Sequence, residues 1–198
     1  MFICFLIRYS GIMLSRFIKD KQQQQIALFL IRAVILYAIW FVSYDFFISP
    51  SGKVDHWLNN RVATDAASML SIAGMPGSTE LGNEQVIVKI NNVGMVGVGN
   101  PCNGLELFVL FAGFIICFPG DLKSKTWFIP LGIIGIYLIN TLRAAVLAVI
   151  QLKAPEHLDF NHHYTFTIIV YSFIFALWMT WVNKFSAINA KSKDGKSE

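Results

Sequence analysis

The sequence predicts an all-α integral membrane protein, a bundle of about four transmembrane helices with a small extracytoplasmic region between the first and second spans. Three observations carry this expectation. Of 198 residues, 55% are hydrophobic and only 14% are charged, against about a quarter in soluble domains, and the mean hydropathy is +0.56. The apolar residues gather into runs close to the ~20 that cross a bilayer core. Most of the Lys and Arg behind the net charge of +4 sit in the gaps and tails between those runs. That is the pattern of cytoplasmic loops, so the charge reads as topological and not as a nucleic-acid surface.

Residues 1–25 are expected to form a cytoplasmic basic amino terminus with Arg8, Arg16, Lys19 and Lys21. Its apolar stretch is too brief for a core about 30 Å thick, and Met13 offers a second start. Residues 26–48 form the first span, with Arg32 and Asp45 within reach of a membrane surface. Residues 49–101 make the extracytoplasmic region. Within it, His56 to Ala73 carries Trp57, Val62, Met69 and Leu70 at helical spacing, an amphipathic helix on the membrane face or an ordinary surface helix. Val86–Ile90 and Val93–Val98 read as the strands of a β-hairpin turning at Asn91-Asn92.

Residues 102–185 form the membrane core. Its spans are expected at 102–118, limited by Pro119-Gly120, at 127–150, with Pro130 in its first turn, and at 164–182. Residues 186–198 are a lysine-rich cytoplasmic tail expected to be disordered.

The positive-inside rule puts the amino terminus, Lys123 with Lys125, and the tail in the cytoplasm, and regions 51–101 and 151–163 outside. Cys102 then starts its span at the outer face, and so do His162 and His163. Arg143 lies about 10 Å of helix before the outer end of its own span. Three chemically loaded positions far apart in sequence thus fall at one depth.

A cysteine nucleophile acts as its thiolate, favoured at a helix amino terminus and beside a cation. A neutral histidine can take the thiol proton and return it to a leaving amine. A buried guanidinium can stabilise the oxyanion of an acyl-transfer intermediate. Cys102, His162 or His163, and Arg143 fit those parts. Asn140 stands one turn before Arg143, Asn103 follows the cysteine, and Glu106, four residues after it, is expected to face it and orient Arg143 or His162. Each position also has a plain structural reading. Cys102 alone could be an apolar filler, as Cys117 is expected to be, Arg143 could snorkel to headgroups, and the histidines could anchor an interface. The three cysteines, Cys4 included, show no CxxC or Cys/His ligand spacing, so neither a disulfide framework nor a metal site is indicated.

Pro101-Cys102-Asn103-Gly104-Leu105-Glu106, Asn140-Thr141-Leu142-Arg143-Ala144-Ala145 and Phe160-Asn161-His162-His163, in this order and topology, resemble the motifs of the exosortase/archaeosortase family. The resemblance covers roughly residues 85 to 185. It implies a membrane-embedded cysteine transpeptidase that cuts a carboxy-terminal sorting signal, made of a short motif, a transmembrane helix and a basic tail. The family triad falls on Cys102, Arg143 and a histidine, the bacterial pattern. Bacterial members usually have one histidine there; spacing to Phe166 and Tyr171 favours His162, with His163 as the alternate. Four spans, where many members have about eight, resemble the short forms of the family.

The expected protein is therefore a multi-pass enzyme of the bacterial inner membrane with a periplasmic site. It would act on exported proteins with a sorting signal, and on an acceptor lipid or glycan, through a Cys102 acyl-enzyme without metal or organic cofactor. Hydrolysis and transpeptidation both fit. A non-enzymatic subunit of an export or secretion complex is the alternative from another class, and a lipid acyltransferase using the same Cys and His is a third.

Overall fold

The computed structural model describes residues 21–185 apart from Glu84. The basic positions before Lys21, with Cys4 and Met13, and the tail 186–198 lie outside the described residues. The chain opens with helix α1, Lys21–Ser43, which continues through a π-turn at Tyr44–Ile48 and a last turn at Ser49–Ser51. It stops at Gly52, whose φ of +61° suits a residue without a Cβ. Helix α2, Lys53–Ile72, leads to strands β1 (Gly77–Leu81), β2 (Val86–Ile90) and β3 (Val93–Val98), followed by α3 (Leu105–Cys117), α4 (Leu122–Lys153) and α5 (Phe166–Lys184).

Among the described residues three segments are long and apolar enough to cross a membrane: Ile26–Ser51, Leu122–Lys153 and Pro155–Lys184. The protein is an integral membrane protein. The expected span at 102–118 holds the 13-residue helix α3, shorter than the ~20 residues of a regular helical crossing. Gly104, at φ +89°, interrupts the chain before it, and Pro119 forces Phe118 into an extended conformation after it. Lys125 Nζ donates to the carbonyls of Ile116 (2.9 Å) and Phe118 (2.8 Å), satisfying groups that the end of α3 leaves open. The next helix starts earlier than expected, because the Asp121 carboxylate caps it by accepting from Ser124 N at 3.1 Å. Pro130 consequently sits inside α4 rather than in its first turn.

The sheet is antiparallel with order β1-β2-β3. The hairpin of β2 and β3 turns at Asn91 and Asn92, with φ of 52° and 64°, the left-handed pair that a tight hairpin needs and asparagine tolerates. Strand β1 is an addition to the expected hairpin. Lys89 Nζ clamps it at 2.8 Å from the Glu80 carboxylate, and this hydrogen bond and charge hold Glu80 below the usual carboxylate range.

Two clusters organise the molecule. Phe111, Ile115, Phe128, Ile136, Val170, Ile174 and Trp181 knit α3, α4 and α5 together. The approach of α3 to α4 is close enough that a Cβ on Gly132 would enter the Phe111 ring. The second cluster joins Leu58, Val62, Ala66 and Leu70 of α2 to Val86, Val88 and Ile90 of the sheet and to Ala144, Ala145 and Ala148 of α4. Helix α4 can serve both because its 32 residues extend about 48 Å, well beyond the ~30 Å of a bilayer core. The apolar face of α2 is therefore covered by protein, not laid on a membrane as the first of the two expectations had it. Trp57 lies on its other side, 65% exposed.

Candidate active site

The site lies where the two clusters meet. Cys102 ends a 3₁₀ turn, Asn100–Cys102, and its Sγ is 3.4 Å from His162 Nε2. His162 belongs to a π-turn, Asn161–Thr165, that precedes α5; such a wide turn shifts the angular position of side chains relative to a regular helix. His163 is carried to the exposed side, where its Nδ1 is 3.0 Å from Asp159 Oδ1. The two imidazoles meet edge to face, 4.9 Å apart.

Helix α4 supplies the opposite wall. Asn140 Nδ2 donates to the Cys102 carbonyl at 2.8 Å, and its buried Oδ1 has no partner among the described residues. Arg143, one turn on, shares with Cys102, Asn140 and His162 the lining of a cavity of about 10 Å³, room for about one water. Val96, Gly97 and Val98 of β3 close its remaining side.

The cysteine loop is fixed from behind by α2. Asp55 and Asn59, one turn apart and so on one face, are both buried. Asn59 Nδ2 donates to Asn100 Oδ1 at 3.0 Å. Asp55 Oδ1 accepts from Asn103 Nδ2 at 2.8 Å, while its Oδ2 accepts from the Tyr44 hydroxyl at 3.3 Å. Asn103 Oδ1 accepts from Leu105 N at 2.9 Å, spanning the left-handed Gly104. A Cβ on Gly104 would come within 3.2 Å of Asn140 Nδ2. The peptide either side of Cys102 is thus held by side chains from two helices.

Cys102, Asn140, Arg143 and His162 are brought together, and Asn103 supports the loop. Glu106 is not part of the group. It lines a groove on another side of α3 with Tyr44, Asp45 and Tyr171, because the chain leaves helical geometry at Gly104 and the four-residue spacing from Cys102 no longer defines a common face. Cys117 is a buried apolar filler. Among the described residues no three His, Cys, Asp or Glu side chains gather as a metal centre requires. Asp55, Asn59 and Asn100 escaped the sequence reading. A signal for the first two existed: they fall in register with the apolar stripe Leu58, Val62 and Ala66, where an unpaired polar side chain would be costly.

A thiol hydrogen-bonded to an imidazole, with a guanidinium on the same cavity at the rim of a membrane bundle, is an arrangement suited to a membrane-embedded transpeptidase or protease. Comparison with known families agrees at that level. Residues 22–181 match the family described as transmembrane exosortase, and the chain belongs to that family. No curated protein and no solved structure was found to match the chain.

Proposed function

We propose that this exosortase is a cysteine transpeptidase or peptidase that cleaves carboxy-terminal sorting signals of exported proteins at the periplasmic face of the inner membrane. The observation that carries the reading is the 3.4 Å approach of Cys102 Sγ to His162 Nε2. Neutral His162 takes the thiol proton as sulfur adds to the carbonyl of the scissile peptide. Arg143, on the same cavity, faces the developing oxyanion. Collapse of the intermediate breaks the C–N bond, and His162 returns its proton to the departing amine. An amine or hydroxyl acceptor, or water, then adds to the thioester carbonyl and gives its proton to His162; the C–S bond breaks and His162 returns that proton to the Cys102 sulfur.

Placing the histidine turn and the cysteine loop outside follows the lysine asymmetry of the sequence. The test is intact-mass analysis of the protein purified after co-expression with helix-tailed exported proteins. A covalent peptide adduct that disappears in Cys102→Ala is the expected result. Full processing of substrate by Cys102→Ala would sink the mechanism.

A further inference from the structure

A second feature is the groove between α1 and α5, floored by α3, with a volume of about 620 Å³. It shares no lining residue with the Cys102 cavity. Along α1 it runs from Ala33 to Asp45, about 18 Å of helix, close to the ~15 Å depth of one leaflet. Its walls are apolar and aromatic, among them Leu36, Trp40 and Leu110. Its inner end is stopped by a row of rings: Phe114 stacks on Trp178 at 4.4 Å, and Phe29 packs edge-on against both Phe114 and Phe118. At the end nearest the cysteine loop stand the carboxylates of Asp45 and Glu106 beside the Tyr44 hydroxyl. Neither carboxylate has a cationic partner among the described residues.

We infer that this groove binds one phospholipid with a primary ammonium head group, drawn from the leaflet on the Cys102 side of the membrane. The length and the blocked end select a chain that stops at mid-bilayer. A spanning helix seated there would have to displace the Phe29, Phe114 and Trp178 rings. The carboxylate pair and the phenol select the head group, because an ammonium can donate to all three, whereas an anionic head group would meet two like charges. Through Tyr44, which also donates to Asp55, the bound head group would stand one hydrogen bond from the carboxylate that holds the cysteine loop.

The test is native mass spectrometry of the full chain released from nanodiscs containing equal parts of phosphatidylethanolamine, phosphatidylcholine and phosphatidylglycerol. The expected result is one phosphatidylethanolamine per chain, preferred roughly ten-fold over the others, as a charge-assisted hydrogen bond would give. The Asp45→Asn/Glu106→Gln double variant should lose that preference while still eluting as a folded species. Selectivity is read on the wild type, so the inference stays testable if the double variant fails to fold. Equal retention of the three lipids would overturn it. So would a photo-crosslinker at Leu110 that captures a polypeptide helix in place of lipid.

Discussion

Replacing Asp55 by alanine probes the support of the cysteine loop. Asp55 is 2% exposed and Asn103 is fully buried, so removing the carboxylate leaves Asn103 Nδ2 without its 2.8 Å acceptor in a place water does not reach. An orphaned buried donor costs about 1–3 kcal/mol. The Tyr44 hydroxyl also loses its 3.3 Å acceptor, but it is half-buried and can be solvated, which adds a smaller loss of about 0.5–1 kcal/mol. Together these predict a destabilisation of about 1.5–4 kcal/mol. At about 2–4 °C per kcal/mol for a chain of this size, thermal unfolding in detergent should fall by roughly 3–16 °C. A displacement of about 1 Å in a reacting group can slow chemistry by about 10², so formation of the Cys102 adduct should slow markedly as well. Asp55→Asn should do less harm, since its amide oxygen can still accept from Asn103 while only the Tyr44 contact must readjust. An Asp55→Ala protein with unchanged melting and adduct formation would refute the idea that α2 fixes the loop.

The two histidines should separate cleanly. His162→Ala is expected to slow adduct formation by about 10²–10⁴, whereas His163→Ala, which removes an exposed contact to Asp159, should stay within a few-fold of wild type; single-turnover mass spectrometry measures both. Gly104→Ala forces a Cβ into a left-handed conformation and against Asn140, so it should cost about 1–2 kcal/mol from the backbone alone. It should also weaken the Asn140 bond to the Cys102 carbonyl, which thermal unfolding combined with the rate of Cys102 alkylation would detect.

Membrane residence, the long apolar helices and the β2–β3 hairpin were legible in the residues themselves. Hydropathy, the rise of a helix and the alternation of Val86, Val88 and Ile90 around an Asn-Asn turn are properties of short stretches read one at a time. The same linear arithmetic put Cys102, Arg143 and the histidine pair at one level, and the structure gathers three of those side chains around one cavity. Which histidine reaches the thiol was decided by the π-turn at Asn161–Thr165, a one-residue change of helical phase that periodicity does not reveal. Glu106 turned away for a similar reason: the left-handed Gly104 resets the phase between it and Cys102. The roles of Asp55 and Asn59 depend on α2 packing across the sheet and α4, contacts made between residues some 40 to 90 positions apart. Faces within a single unbroken helix follow from spacing, but the direction a side chain takes across a backbone irregularity, and the partner it finds there, are settled only when distant segments pack and every buried polar group must be satisfied.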